Sequence, residues 1–218
     1  LCNRGYGDPQ RAKVFIDKSE SFLHNPFLMK DMDAAVARIM QAIENGEKIT
    51  VYGDYDADGV TSVSILLRYF RDRGISADFY IPSRESEGYG VSRDAIDTIA
   101  ASGTKLIITV DTGITAASEA EYSNELGIDM VITDHHQCPE ILPDAVAVVN
   151  PHRADCGYPY KDLAGVGVAF KLICALELAR ENDGKYNLDT VKDMCRSYIS
   201  LAAIGTIAAR LIYERHIS

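Results

Sequence analysis

The residues best suited to chemistry follow three short apolar runs of the sequence. The first run leads into a segment with three aspartates, the second into a single aspartate, and the third into an aspartate followed by two histidines. Carboxylates held this close repel one another unless cations lie between them. Mixed Asp and His ligands suit Mn²⁺, or Mg²⁺ with more carboxylate and water, and two such ions about 4 Å apart form a clamp for phosphoryl chemistry. The residues are Asp54, Asp56, Asp58, Asp111, Asp134, His135 and His136.

Two other interpretations explain these residues less well. Asp54, Asp56 and Asp58 match the start of a calcium-binding EF-hand loop, but the twelfth position is Ile65, where a bidentate Glu is required. A solvated turn or a helix cap explains any one of the three groups. Neither explains why all three groups follow a strand-like run, so a metal site is the favoured interpretation.

A second set of residues is suited to anions and nucleic acid. Gly165 and Gly167 stand at the start of an apolar helical stretch, where free backbone N–H groups favour phosphate, and Lys171 follows one turn later. Arg84 follows another predicted strand, and Tyr89 lies between two glycines in a loop that suits base stacking. The alternatives are close helix packing for the glycines and an ordinary surface position for the arginine.

The pattern of apolar residues predicts an α/β fold. Short β-rich runs alternate with helical segments, which indicates a mainly parallel sheet with helices on both faces, followed by a helical C-terminal part. In such a sheet, ligands bind beyond the carboxyl ends of the strands, where the Asp and His residues stand. The predicted strands are 48–52, 77–81, 105–110, 130–133 and 145–149, and the predicted helices are 31–45, 60–72, 92–101, 115–125, 164–181 and 188–207, with Asp31 as the cap of the first helix.

Composition and charge narrow the function further. The chain has 218 residues, 22 basic and 32 acidic side chains, and a formal net charge of -10. Such a chain cannot hold nucleic acid by bulk attraction, so a nucleic-acid substrate would need local metal ions or another domain. No stretch approaches the roughly 18 apolar residues of a membrane span, and the first ten residues are too polar for a signal peptide. Five scattered cysteines without a C-x-x-C pair argue against a disulfide framework and a zinc site, so we expect a cytoplasmic protein without membrane association.

Four segments of the sequence resemble the DHH phosphoesterase superfamily. They are GDYDADGVTS, VDTGI, TDHH and NPHRADCGYPYKDLAGVGVAFKL, in this order. Within the superfamily, RESEGYGVS and AGVGVAFKL are similar to the RecJ-type single-strand-specific exonucleases. The resemblance covers essentially the whole chain. It implies a hydrolase with two Mn²⁺ or Mg²⁺ ions that removes nucleotides from single-stranded DNA in the 5′→3′ direction.

The resemblance also implies a domain organisation and partners. Residues 1–218 would form the DHH catalytic domain, with a helical N-terminal extension at 1–46, an α/β sheet core at 47–150 and a helical part at 151–218. A second catalytic domain of the DHHA1 type and the strand-binding domains would lie outside this chain. Single-stranded DNA, a single-strand-binding protein and recombination or repair helicases would be the partners.

The aspartates acquire roles through the same resemblance. Asp56 and Asp58 resemble the metal ligands of the first motif, with Asp54 beside them as a further ligand or as a support. Asp111 resembles the carboxylate that bridges both ions. We therefore expect all four aspartates to surround the ions that activate the attacking water.

The histidines and one tyrosine complete the expected site. His135 resembles the metal-binding histidine of the family, and His136 resembles the one that faces the phosphate and stabilises its charge together with the turn at 165–167. Asp134 would orient the histidines. Tyr52 stands where some relatives carry a further histidine ligand, which implies that one ion is held by fewer protein groups.

One departure from the family pattern lies near the C-terminus. In RecJ-like proteins the segment corresponding to LAAIGTIA continues with an Asp that binds metal, whereas Ala208 is followed here by Ala209 and Arg210. A short omitted segment would explain this, and so would a true loss of the ligand. Two alternatives to the exonuclease therefore stay open. One is a phosphodiesterase of the nanoRNase type that acts on short oligonucleotides, and the other is an inactive DHH scaffold that binds single strands or replication proteins.

Overall fold

The centre of the molecule is a β-sheet of five parallel strands. The computed structural model describes residues 8, 23–83, 88, 90–182 and 184–215, and the side chains among them apart from those of residues 182 and 210–215. The strands are β1 (Ile49–Gly53), β2 (Asp78–Tyr80), β3 (Leu106–Val110), β4 (Asp129–Thr133) and β5 (Ala147–Val149). They are arranged in the order β2-β1-β3-β4-β5.

Six α-helices surround the sheet in the described part of the chain. They are α1 (Met32–Glu44), α2 (Ala57–Asp72), α3 (Arg93–Ala101), α4 (Ala117–Glu125), α5 (Gly165–Asn182) and α6 (Leu188–Arg215), and a short 3-10 helix (Pro26–Leu28) precedes α1. The α/β fold predicted from the sequence is confirmed. All the described helices that were predicted are present, and the long last helix extends beyond residue 207.

The central strands are buried on both faces, as their continuous apolar runs predict. Successive side chains of a strand point to opposite faces, so Ile107 and Ile108 of β3 belong to two different hydrophobic cores. The larger core is covered by α1, α2, α5 and α6, and the smaller one by α3 and α4. The segment predicted as an N-terminal extension therefore contributes to the main core, through Met32 and Ile39 of α1.

The second helix begins three residues earlier than the apolar pattern predicts. Asp56 caps it, because its carboxylate accepts a hydrogen bond of 2.9 Å from Gly59 N. Asp58 and Gly59 consequently lie in the first turn of α2 rather than in a loop. A β-carbon at Gly59 would lie 2.4 Å from the backbone oxygen of Asp54, so only glycine allows the helix to start this close to β1.

Asp31 stands at the predicted N-cap position of the first helix, but its side chain does not cap the helix. Asp31 has a left-handed backbone conformation, with φ of 62°, and makes no side-chain capping bond. Its carboxylate instead accepts hydrogen bonds from Arg153 and, at 3.4 Å, from Val148 N. The carboxylate of Asp31 thus binds Arg153, which is distant in sequence, and not the N–H groups at the start of α1.

The last helix packs closely against the helices that frame the carboxyl edge of the sheet. A β-carbon at Gly205 of α6 would lie 2.2 Å from Thr61 Oγ1 of α2 and 2.8 Å from Val166 Cγ1 of α5. This end of α6 therefore lies beside the first turns of both helices. Among the described residues, we find no helix with the length and apolar character needed to cross a membrane.

Candidate metal centre

Three neighbouring strands end in register at the carboxyl edge of the sheet. Gly53 of β1 is paired with Val110 of β3, which is paired with Thr133 of β4. Because adjacent strands lie about 4.8 Å apart, the residues that follow these three positions are held close together. They are Asp54, Asp111 and Asp134.

Asp111 is buried and has a carboxylate oxygen without a hydrogen-bond partner in the described part of the chain. Its side chain is 3% exposed, and among the described residues no group donates a hydrogen bond to Oδ1. Its φ of 59° lies in the left-handed region, which is uncommon for a residue with a β-carbon and is often found at functional sites. Burial, followed by repulsion from Asp58 and Asp56, raises the pKa of Asp111 to about 10. A cation opposite this oxygen would relieve both the missing hydrogen bond and the repulsion.

The two histidines lie against Asp111. His135 Nε2 is 3.1 Å from Asp111 Oδ1 and 3.8 Å from Asp58 Oδ2, and the rings of His135 and His136 have centroids 4.5 Å apart. Asp111, His135 and His136 each offer a ligand atom, and these atoms all lie within 4.8 Å of one another. The sequence led us to expect His136 to face the phosphate only, whereas the structure also places it within reach of a metal ion bound to Asp111.

Asp134 is the hydrogen-bonding centre of the histidine pair. Its Oδ1 accepts from the backbone N–H groups of His135 at 2.7 Å and His136 at 3.1 Å, and lies 2.7 Å from His136 Nδ1. Its Oδ2 accepts from Ile114 N at 2.9 Å. Burial disfavours this charge, but the hydrogen bonds outweigh burial and lower the pKa of Asp134. The contact between Asp134 Oδ1 and His136 Nδ1 also raises the pKa of His136. The same contact fixes the orientation of the His136 ring.

Both carboxylate oxygens of Asp58 accept backbone hydrogen bonds from the start of α5. Gly165 N donates to Oδ2 at 2.9 Å, and Val166 N donates to Oδ1 at 2.8 Å. The next two N–H groups of the helix donate to Ala164 O. The first turn of α5 thus has its N–H groups engaged, and the prediction that Gly165 and Gly167 bind phosphate is wrong.

The glycine at the start of α5 serves close packing instead. A β-carbon at Gly165 would lie 2.2 Å from Asp111 Oδ1 and 2.5 Å from Asp111 Cβ. A β-carbon at Gly167 would approach only the Leu163 side chain, at 3.1 Å. The absence of a side chain at Gly165 therefore allows one helix start to contact two of the predicted ligands, Asp58 and Asp111.

Lys171 lies away from the carboxyl edge, so its predicted contact with phosphate is also wrong. Its Nζ donates to His24 O at 3.0 Å and lies 5.8 Å from the centroid of the Tyr158 ring. Burial among these groups lowers the pKa of Lys171. The physical reason is the rise of about 1.5 Å per residue in a helix, which carries Lys171 about 9 Å along α5 from Gly165 and into the core.

The remaining aspartates surround the group formed by Asp111 and the histidines. Asp54 is buried, its Oδ1 accepts from Tyr55 N at 2.7 Å, and burial raises its pKa. Asp56 caps α2, and its charge contributes to the raised pKa values of Asp54, Asp58 and Asp111. The first motif thus places its three carboxylates next to the ends of β3 and β4.

Tyr52, another predicted residue of the site, lies outside this group of ligand atoms. Tyr52 is buried in the smaller core, where it stacks on Tyr80 with centroids 5.4 Å apart and donates its hydroxyl to Gly90 O at 2.8 Å. It therefore connects β1 to the segment before α3. Arg84 and Tyr89, predicted to bind nucleic acid, lie outside the described residues.

The sequence reasoning missed two residues beside the histidines. Asn150 and His152 follow β5, and their side chains contact the backbone of His135 and His136. The signal was available, because the same edge that is reached by the ends of β1, β3 and β4 is also reached by the end of β5. Applying the strand-end rule to β5 as well would have included Asn150.

The donor set of this edge fits divalent cations. Carboxylate oxygens and imidazole nitrogens are typical ligands of Mn²⁺, and carboxylates are typical ligands of Mg²⁺. Asp111 Oδ1 has no hydrogen-bond donor among the described residues, and several like charges surround it. A carboxylate oxygen without a hydrogen-bond donor and several like charges around it are both expected at a site that binds cations.

Comparison with known proteins agrees with this geometry. The DHH family, N-terminal domain, matches residues 48–206. The chain is 46% identical over 208 residues to the single-stranded-DNA-specific exonuclease RecJ of Bacillus subtilis (strain 168), which corresponds to 95% of this chain and 25% of that protein. The chain thus spans about a quarter of the length of this relative.

Two solved structures are similar over most of the chain. A crystal structure of exonuclease RecJ bound to manganese has a TM-score of 0.71 and 33% identity, covering 83% of this chain and 43% of that one. A crystal structure of RecJ in complex with Mn²⁺ from Thermus thermophilus has a TM-score of 0.66 and 32% identity, covering 83% of this chain and 24% of that one. The motifs, the sheet, the arrangement of Asp and His residues and these matches agree, and the chain belongs to the DHH family.

Proposed function

We propose that this chain is the metal-holding catalytic part of a single-stranded-DNA-specific exonuclease that acts in the 5′→3′ direction. The observation that carries the proposal is the buried, unpartnered oxygen of Asp111, which has no donor among the described residues and lies 3.1 Å from His135 Nε2 at the point where three strands end. The similarity to RecJ proteins over 95% of the chain supports the substrate class.

The residues that would hold two Mn²⁺ or Mg²⁺ ions are the aspartates and histidines of the carboxyl edge. Asp54, Asp56, Asp58, Asp111 and His135 would hold the ions, and Asp111 is the carboxylate to which the family resemblance gives a shared role. When bound, the ions supply Lewis acidity and an activated water for hydrolysis of a phosphodiester. The solved RecJ structures with Mn²⁺ support this choice of metal.

The side chains of the chain itself have separate tasks in this proposal. Asp134 holds Nδ1 of His136, so that Nε2 is the ring atom directed away from Asp134. Because Asp134 raises the pKa of His136, the imidazole retains a proton more readily and suits contact with an anionic phosphate oxygen. With the α5 turn and Lys171 excluded, His136 is the described residue to which we assign stabilisation of phosphate charge.

The net charge of -10 points to a division of labour. Tight binding of a long strand needs several phosphate contacts from Lys and Arg, and an acidic chain supplies few of them. We propose that residues 1–218 form the DHH domain, with segments 1–46, 47–150 and 151–218 as its parts, and that a DHHA1-type domain and strand-binding domains complete the enzyme. The coverage of 25% of the B. subtilis relative supports this organisation.

The proposal extends to location and partners. A cytoplasmic site of action, a single-strand-binding protein and recombination or repair helicases stay predictions that rest on the family resemblance. Single-stranded DNA as substrate rests in addition on the RecJ relatives.

A specific observation favours the inactive scaffold as a second candidate. Gly205 packs against Thr61 and Val166, so the following residues of α6 lie beside the helix starts that frame the site. This is where the family pattern places a further Asp, whereas residues 206–209 are Thr, Ile, Ala and Ala. A site with one ligand fewer would hold its second ion more weakly.

The experiment that separates these functions measures Mn²⁺ binding and turnover on the same protein. We would compare release of nucleotides from a 5′-labelled pentanucleotide and from a single strand of several tens of nucleotides, with duplex of the same sequence as a control. Mn²⁺-dependent release from the 5′ end of single strands supports the exonuclease. Stoichiometric Mn²⁺ binding without any release supports the scaffold, and release from the pentanucleotide alone, even when the downstream domains are supplied, supports the oligonucleotide phosphodiesterase.

A further inference from the structure

The peptide carbonyls of both histidines are held by side chains from a neighbouring turn. His152 Nδ1 lies 2.6 Å from His135 O, and Asn150 Nδ2 donates to His136 O at 2.9 Å. Since a carbonyl oxygen can only accept, His152 must carry its proton on Nδ1 to make this bond. Two consecutive peptide groups of the metal-binding segment are thereby fixed from one side.

The turn that supplies these two side chains is itself braced. Asn150 is fully buried, and its Oδ1 accepts from His152 N at 2.8 Å, which sets the amide orientation and connects the two residues. Arg153 N donates to Asn150 O at 3.3 Å, which closes the turn. The guanidinium of Arg153 donates to Val148 O at 2.6 Å and pairs with Asp31.

The contacts of Arg153 extend to Asp31, which has an unusual backbone conformation at the start of α1. Asp31 adopts a left-handed φ of 62° and leaves α1 without a side-chain cap, while its carboxylate binds Arg153. Such conformations are kept where the surrounding contacts over-determine them. A series of contacts therefore runs from Asp31 through Arg153 and Asn150 to the histidine backbone.

We propose that Asn150 and His152 are positioning residues of the metal centre. By fixing the two peptide groups, they set the directions in which the imidazoles of His135 and His136 leave the backbone and meet Asp111. This inference rests on the proposed function. Residues that orient metal ligands without touching the metal typically change affinity by about 10- to 100-fold when they are removed.

The test compares four variants for Mn²⁺ affinity by titration calorimetry. Asn150→Ala and His152→Ala remove one donor each, and we expect each to weaken Mn²⁺ binding by at least about tenfold. His152→Asn keeps a donor near the position of Nδ1, and we expect it to restore affinity to within about threefold of the unchanged chain. Asn124→Ala is the matched control, because Asn124 Nδ2 also holds a backbone carbonyl, that of Asp144 at 2.8 Å, at an exposed position.

A second readout does not depend on metal. The chain has five histidines, so imidazole ¹⁵N spectra of the metal-free protein resolve them. At a temperature where the variant is fully folded, we expect Asn150→Ala to broaden or shift the signals of His135 and His136, including the His136 Nδ1 signal that reports the contact with Asp134. Asn124→Ala should leave these signals in place.

The outcomes distinguish the positioning role from the proposed function. Unchanged Mn²⁺ affinity and unchanged imidazole spectra in both alanine variants would overturn the positioning role, as would a His152→Asn variant as weak as His152→Ala. If the unchanged chain binds no Mn²⁺, the proposed function fails, and the metal-free spectra alone then decide whether Asn150 orders the histidines. If Asn150→Ala does not fold, the pair of His152 variants decides.

Discussion

Two regions of the described chain each bring several charged side chains together around a buried carboxylate, and the charges are balanced in only one of them. At the junction of α2, α5 and α6, Glu177 accepts hydrogen bonds from Arg73 at 2.5 Å, Arg180 at 2.8 Å and Tyr69 at 3.0 Å. Burial disfavours the carboxylate, but these bonds lower the pKa of Glu177 to about 2. Arg73 also donates to Tyr198, whose hydroxyl donates to Asp72.

The carboxyl edge of the sheet shows the opposite balance. Asp111 is as deeply buried as Glu177, yet its Oδ1 has no donor among the described residues, and its pKa is raised to about 10. Both regions involve the same two helices. Asp58 and Gly165 lie in the first turns of α2 and α5, whereas Arg73 follows the last residue of α2 and Glu177 lies near the end of α5. A rise of about 1.5 Å per residue separates them by about 20 Å. The carboxylates are therefore crowded without balancing donors at only one of these two ends, and that is the end where we propose that the cations bind.

The largest effect is expected from removing the charge of Asp111. Asp111→Asn keeps the shape of the side chain but removes the carboxylate shared between the predicted ions. We expect Mn²⁺ affinity to fall by more than about 1,000-fold, which corresponds to about 4 kcal/mol. The metal-free protein should become slightly more stable, because one of several repelling carboxylates is gone. Titration calorimetry with Mn²⁺ and thermal unfolding in the presence of a chelator measure the two effects.

The control for Asp111→Asn is a carboxylate outside both regions. Asp97→Asn removes the negative charge of an exposed carboxylate on α3, which accepts from the Tyr122 hydroxyl, and should leave Mn²⁺ binding unchanged. Retention of two bound ions by Asp111→Asn would show that Asp111 is not shared between them, and the contrast between the two regions would then lose its functional meaning.

Removing a partner of Glu177 at the junction of α2, α5 and α6 should lower the stability of the protein and leave metal binding nearly unchanged. Arg73→Met removes a half-buried partner of the buried Glu177, and the loss of one partner of a buried pair costs about 3 to 5 kcal/mol. We expect the lower end of this range, since Arg180 and Tyr69 still donate to the carboxylate. Mn²⁺ affinity should change by less than about twofold, because sites this far apart are nearly independent. Denaturant unfolding and Mn²⁺ titration of the same variant measure both quantities.

The matched control for this variant is an arginine outside the junction. Arg196→Met removes an exposed arginine of α6 that pairs with Asp193, and we expect a loss of less than about 1 kcal/mol. An equal loss from both variants would mean that burial does not distinguish the junction from an ordinary surface ion pair.

The fold could be predicted because its signals are local. The strands before Asp54, Asp111 and Asp134 are apolar runs bounded by polar residues, and the predicted boundaries differ from the observed ones by only a few residues. The start of α2 was placed too late because apolar spacing does not report a cap, and Asp56 supplies one.

The parts of the site that could not be predicted depend on partners distant in sequence. A glycine-rich helix start predicts a phosphate site only if its N–H groups are free, and Asp58, which is 107 positions away from Gly165, engages them. The burial of Lys171 could have been inferred, since α5 is mostly apolar around its circumference and a lysine within it is expected to be buried against a hydrogen-bond acceptor. The acceptor itself, His24 O, is distant in sequence and could not.

The balanced region also predicts a pH dependence. The pKa of Glu177 is lowered from 4.5 to about 2, so its contribution to stability is present above pH 4.5 and is lost as the pH falls toward 2. The loss is at most about 3 kcal/mol, given about 1.36 kcal/mol per unit of pKa difference. Glu177→Gln should therefore unfold more easily than the unchanged chain at pH 6, with the difference shrinking between pH 4.5 and pH 2.

Denaturant unfolding of the metal-free protein at several pH values measures this dependence. Glu121→Gln, an exposed substitution on α4, serves as the control and should follow the unchanged chain at every pH. A constant difference between Glu177→Gln and the unchanged chain across the whole range would contradict the assignment of the charge balance to Glu177.

The smallest effect is expected at Gly165, where packing rather than charge connects α5 to the carboxyl edge of the sheet. Gly165→Ala places a methyl group 2.2 Å from Asp111 Oδ1 and 2.5 Å from its β-carbon, so backbone must shift. We expect a loss of about 1 to 3 kcal/mol in stability, typical of overpacking, and a decrease of about tenfold in Mn²⁺ affinity as Asp58 and Asp111 move apart.

Gly167→Ala is the matched control in the same turn, because its methyl group meets only the flexible Leu163 side chain at 3.1 Å, and alanine favours a helix by about 1 kcal/mol over glycine. The control should be neutral or stabilising and keep its Mn²⁺ affinity. If the two alanine variants bind Mn²⁺ equally well, the close approach of α5 is a feature of packing alone, and the metal centre is set by the strand ends without it.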